Sequence, residues 1–120
     1  MSNETTPVRV LVNLSVKQGT ADAFKQAWAP EYDRVKAEPG CVQFELFQST
    51  RNPENFAVLE QWASRADFDR HTQLHKDTPR AGAEYRESPR ERKIGKSGLE
   101  IYWDLKTYQW DGENWVPAVP

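Results

Sequence analysis

Residues 41–67, CVQFELFQSTRNPENFAVLEQWASRAD, decide the fold. Val42, Phe44, Leu46 and Phe47 make 41–50 a strand, and Asn52-Pro53-Glu54-Asn55 is a turn. Residues 56–63 form a second dense apolar run. A connection this short forces the two strands antiparallel. Ser64-Arg65-Ala66-Asp67 then has the capping-box pattern that opens a helix. That helix is predicted to run to about Lys76, before Thr78-Pro79 breaks it.

Upstream, residues 8–16 alternate with a period of two. Val8, Val10, Val12, Leu14 and Val16 share one face, and Arg9, Leu11, Asn13 and Ser15 the other. Thr20 is the predicted N-cap of a helix whose apolar stripe is Phe24, Ala27, Trp28, Tyr32 and Val35. Pro30 should kink it, and Pro39-Gly40 ends it. Downstream, 81–87 suggests a short helix within a polar segment that runs to Gly98. Residues 99–110 read as one long strand, Asp111-Gly112 as a two-residue turn, and 113–116 as a short fifth strand. Residues 1–7 are expected to be a disordered leader and 117–120 a tail, leaving one domain over 8–116.

The order β-α-β-β-α-β is that of an α+β, ferredoxin-like fold, an antiparallel sheet with both helices on one face. The strands carry apolar side chains on both sides, so the other face needs cover. A second copy of the chain is the expected partner, giving a homodimer. Twelve per cent of the 120 residues are aromatic, five of them Trp, more than so small a core can absorb. Part of that surface should line a pocket for a small aromatic or apolar molecule.

A net charge of −2 without a basic cluster argues against nucleic acid. No apolar run approaches membrane length and no signal peptide is evident, so the expected location is cytoplasmic, away from membranes. The single Cys41 excludes an internal disulfide and reads as a small apolar group. Glycine-rich phosphate loops and dinucleotide fingerprints are absent from the sequence.

The chain resembles the antibiotic biosynthesis monooxygenase superfamily, the dimeric α/β barrel proteins. The resemblance is carried by strand 8–16, the Phe24 to Trp28 helix, Ala37-Glu38-Pro39-Gly40-Cys41, Phe44-Glu45-Leu46-Phe47, Leu59-Glu60-Gln61-Trp62-Ala63-Ser64 and Phe68-Asp69-Arg70-His71. It implies a homodimer and an apolar cleft between sheet and helices. Members include oxygenases of anthrones and quinols that use no cofactor, haem-degrading enzymes and isomerases of small molecules.

His71 and His75, the only histidines, lie one helical turn apart and share a face with Phe68 and Thr72. A histidine at a cleft can act as a base near neutral pH, and His71 is preferred, with His75 the alternative. The i, i+4 spacing also suits a metal, with Glu60 of the neighbouring strand able in principle to serve, but no HExxH pattern and no obvious third ligand accompany it, so no metal is expected. Glu60 and Trp62 point to one side of their strand. In the anthrone oxygenases a Trp at the position of Trp62 lines the substrate pocket. Those enzymes have Asn at the position of Val58 and Tyr at that of Phe68, so both polar groups are missing here. By the same counting the haem branch's catalytic Trp falls on His71, its iron-binding His falls near Ala81, and its Asn is one residue out of step with Asn13. Haem is therefore not expected.

The resulting expectation is a monooxygenase without cofactor, acting on an anthrone- or quinol-like molecule. Trp62, Phe44, Phe68 and Glu60 would surround the substrate and Asn13 would be a donor. The alternatives are a non-catalytic dimer that binds an apolar ligand, and an isomerase of a small hydroxy-carbonyl compound.

Overall fold

The computed structural model describes residues 5–87, 99–103 and 108–117. Residues 1–4 of the predicted leader, 118–120 of the tail and 104–107 of the predicted long strand lie outside the described residues.

Strand β1 (Val8–Ser15) leads into helix α1 (Ala21–Lys36), then the hairpin β2 (Cys41–Gln48) and β3 (Asn55–Trp62), helix α2 (Arg65–His75) and strand β4 (Leu99–Trp103). The four strands form one antiparallel sheet in the order β2-β3-β1-β4. This is the predicted ferredoxin-like arrangement. The two sequence-adjacent strands stay paired, and β1 reaches the centre because its apolar alternation fits a half-buried strand.

Val8, Val10 and Leu14 of β1 are buried with Phe56, Val58 and Trp62 of β3. Phe24, Trp28 and Val35 of α1 and Phe68 of α2 close over them, so both helices share one core and cover one face. Phe24 meets Phe56 at 4.9 Å, and Trp28 stacks on Phe44 at 5.3 Å between ring centroids. The opposite face holds Leu11, Asn13, Leu59 and Gln61, with Phe47 and Tyr102 exposed on it.

Four local expectations are corrected. The predicted strand over 99–110 is described as β4 in the main sheet and a separate β5 (Tyr108–Trp110), which pairs with β6 (Trp115–Pro117). The turn between them spans four residues, not two. Asp111 Oδ1 accepts from the amides of Glu113 and Asn114 at 2.8 and 2.7 Å, so the aspartate side chain builds the turn. Thr20 does not cap α1 with its side chain; its hydroxyl donates to the Lys17 carbonyl at 2.6 Å. The helix suggested over 81–87 is a single 3-10 turn, Ala83–Tyr85.

The α2 start follows its capping pattern. Ser64 Oγ accepts from the Asp67 amide at 3.1 Å and donates to Asp67 Oδ2 at 2.9 Å. This carboxylate also pairs with Arg70 and lies against Gly40. Gly40 has a φ of 80°, and a Cβ there would overlap the Asp67 side chain. Gly40→Ala is therefore expected to lose more than about 1 kcal/mol of stability, read as a lower urea midpoint. An unchanged midpoint would show that the 37–40 loop can move away from α2.

Candidate functional site

A cleft of about 400 Å³ opens between α1, α2 and the covered face of the sheet. Trp28, Phe44, Val58, Phe68 and Ile101 give it apolar walls. Among these walls stand Glu60 from β3, His71 from α2 and Arg80 from the segment after α2.

Glu60 is 8% exposed. Its strand position points it inward beside Val58, where the period of two would normally place an apolar residue. Trp62, two residues on, donates its indole N–H to Glu60 Oε1 at 2.9 Å. Burial pushes the carboxyl above its ordinary pKa and the nearby Glu38 charge adds to this, while the Trp62 bond and Arg80 oppose it.

The folded chain thus holds the Glu60 proton to higher pH than the unfolded chain, where a glutamate titrates near about 4.3. The corresponding stability is complete below that pH and is lost as pH rises through the folded-state value. Glu60→Gln cannot ionise and still accepts from Trp62. It is expected to flatten the decline, measured by urea midpoints from about pH 4 to about pH 8. Parallel profiles for the two proteins would show that the carboxyl is not desolvated.

His71 is 2% exposed, with its ring 4.7 Å from the Trp62 ring. Burial lowers its pKa, opposed by a bond to Glu38. That carboxylate accepts from both histidines, from His71 Nδ1 at 2.9 Å and from His75 Nε2 at 2.8 Å. Among the described residues nothing bonds His71 Nε2. Glu38 sits in the loop between α1 and β2. Its amide donates to the Val35 carbonyl at 2.9 Å, and Arg70 donates to the Pro39 carbonyl at 3.1 Å. These bonds and the Gly40–Asp67 contact hold the loop beneath α2, which fixes Glu38 between the two rings.

The structure therefore brings Phe44, Phe68, Glu60 and His71 together, as the sequence reading expected. Three expected site residues fall elsewhere. Trp62 is fully buried behind Glu60 and His71, so it supports the cleft rather than lining it. His75 lines a smaller hollow of about 260 Å³. Asn13 pairs with Ala57 on the opposite face of the sheet, where it cannot meet a ligand in this cleft. Sequence reasoning missed Glu38 and Arg80. The separation of 33 positions between Glu38 and His71 hides their pairing, although Glu38 belongs to the quoted 37–41 motif. Half-buried Cys41 packs against the core nearby, and burial pushes its thiol up to about 11.

Residues 7–76 match the antibiotic biosynthesis monooxygenase family, more than half of the chain. The chain belongs to that family. A Pestalotiopsis microspora protein whose name proposes a monooxygenase, GME11364, is 27% identical over 113 residues, which are 92% of this chain and 90% of that one. The 42.8 kDa protein in the whiE locus of Streptomyces coelicolor is 39% identical over 61 residues. Those are 51% of this chain and 15% of the relative, so the chain spans only a small part of that protein's length. A structure from Caulobacter crescentus, whose name proposes an antibiotic biosynthesis monooxygenase, superposes with a TM-score of 0.68 at 22% identity. It covers 86% of this chain and 93% of its own. A conserved protein from Methanosarcina mazei superposes with a TM-score of 0.66 at 20% identity, over 84% and 95% of the two chains. These superpositions show a shared fold. Among the described residues, no helix is long and apolar enough to cross a membrane.

Proposed function

We propose that this chain is a monooxygenase of flat, anthrone- or quinol-like molecules in which the substrate itself supplies the electrons, and that it works as a homodimer. The observation that carries this reading is His71 in the cleft wall with Nδ1 held by Glu38. That bond fixes the tautomer with the proton on Nδ1 and leaves Nε2 as the base.

For an anthrone, Nε2 removes a proton from the ring CH₂ and the resulting carbanion passes one electron to dioxygen. The radical and superoxide join as a C–O–O bond, and the peroxide takes up a proton. Loss of the second C–H proton and of hydroxide from the O–O bond then gives a ketone and water. One oxygen atom ends in the product and one in water. Glu60, whose burial makes its carboxyl hold a proton to higher pH than usual, is the group in the cleft placed to donate to the developing oxygen anion. The side chains of Trp28, Phe44, Val58, Phe68 and Ile101 give the flat ring an apolar surface to lie against. Leu11, Leu59, Phe47 and Tyr102 on the uncovered face supply the apolar surface for a second copy.

An oxygen electrode tests the reading with a tricyclic anthrone. The expected result is one O₂ consumed per ketone formed, above the protein-free rate. Uptake that never exceeds that rate, with anthrones and hydroquinones alike, removes the proposal. Val58 and Phe68, both in the cleft wall, offer no hydrogen bond to a phenolic oxygen and favour a second reading as a binder of apolar aromatics. That reading predicts saturable quenching of Trp fluorescence by the anthrone, with no oxygen uptake.

A further inference from the structure

We propose that Glu38, His71 and His75 form a site for one borderline divalent cation of the zinc type, and that filling it switches off the base. Three groups from two elements converge here, and their ligand atoms all lie within 4.8 Å of one another. Zinc bonds of about 2.0–2.2 Å at angles near 90–110° separate neighbouring ligand atoms by about 2.8–3.5 Å. The nitrogen–oxygen separations here are 2.9 Å for His71–Glu38 and 2.8 Å for His75–Glu38. The two hydrogen-bonded pairs already have this spacing, while the full set spreads to 4.8 Å, so the side chains must draw together by about 1 Å for one ion to reach all three.

The donor set, two imidazoles and a carboxylate, is one that zinc and its first-row neighbours accept. Entry is from the smaller hollow, which His75 lines, while His71 borders the larger cleft and has almost no exposed surface. Arg34 and Arg80 both border that hollow; Arg34 pairs with Glu31 at 2.8 Å, and the positive charge of Arg80 opposes the ion. The i, i+4 histidines alone lacked a third ligand. Folding supplies it from 33 residues upstream of His71.

The inhibitory part rests on the proposed role of His71; the binding part does not. In the hydrogen-bonded state Glu38 holds the proton on Nδ1 and Nε2 is free to accept. A metal on Nδ1 requires the ring's remaining proton on Nε2, which turns the base into a donor. Metal binding and proton abstraction then exclude each other at the same ring.

The test is calorimetric titration of chelator-treated protein with zinc chloride, repeated with Glu38→Gln and His75→Ala after circular dichroism melts show each variant folded. The expected result is one ion per chain in the natural protein, weakened at least about tenfold in both variants. Cobalt added in place of zinc should give the visible absorption of a four- or five-coordinate site. Should Glu38→Gln fail to fold, His75→Ala decides alone, since His75 lies at the rim. Absence of saturable binding, or equal binding by the variants, overturns the site. In the activity arm, zinc should suppress oxygen uptake in step with occupancy and suppress it less in His75→Ala. Full occupancy with undiminished uptake overturns the switch and the assignment of the base, and leaves the metal site standing.

Discussion

Trp62→Ala is expected to remove about 3–5 kcal/mol of stability, the usual loss for a large aromatic side chain in a packed interior. Trp62 has no exposed surface and ends β3. Its ring meets His71 at 4.7 Å and Phe68 at 6.4 Å, and its N–H is the hydrogen-bond donor to buried Glu60. Truncation would leave a cavity under α2 and strip the carboxyl of its partner, and the second effect adds to the first. A domain of this size has about 5–15 kcal/mol in total, so the variant should be marginal at room temperature. Trp62→Phe separates the two contributions. It keeps most of the ring and loses only the bond, so it should lose about 1–3 kcal/mol. Urea unfolding followed by circular dichroism measures both. A loss under about 1 kcal/mol for Trp62→Ala would mean that the residue is a cleft wall, as the sequence comparison suggested, rather than a support behind it.

The second large effect is on turnover. His71→Ala is expected to lower kcat/KM for an anthrone by about 10²–10⁴, the range for loss of a positioned base. At 1.36 kcal/mol per decade this is about 3–5 kcal/mol of transition-state stabilisation. Since His71 is also buried, rates must be compared per folded molecule, at a urea-free temperature well below each melting point. Glu38→Gln should lower the rate less, because the base remains but its tautomer is no longer held. The sharper measure is the ratio of the two variants. If His71→Ala lowers the rate less than threefold, the base lies elsewhere, and Glu60 becomes the group to replace next.

Some of this was readable before any coordinates. The 41–67 stretch carries its own instructions: two apolar runs too close in sequence to be anything but a hairpin, then a capping serine. Ser64 does cap α2 as read, since Ser64 and Asp67 are three residues apart and need no tertiary help. Thr20 had the same residue chemistry but found a carbonyl at Lys17 first, and local competition of that kind does not show in a residue list. The stretch 99–110 misled for a different reason. Its composition is strand-like throughout, and nothing in it marks where pairing passes from the main sheet to β5–β6.

The sequence by itself determined the fold class, the element order and the two faces of β1, while the grouping of Phe44, Glu60, Phe68 and His71 was an expectation drawn from the family resemblance. Period and turn chemistry are local, and they fix direction as well as element type. Asn13 was in principle legible too, since its odd position already set it with Arg9 and Ser15, away from Val12 and the cleft. Only the tertiary structure decided that Glu38 joins the two histidines, that Trp62 stands behind the cleft, and that Arg80 enters it. These are questions of depth and of contact between distant segments. They are settled by how closely α2 packs on the sheet and where the 37–40 loop is pinned, and neither depends on any repeat along the chain.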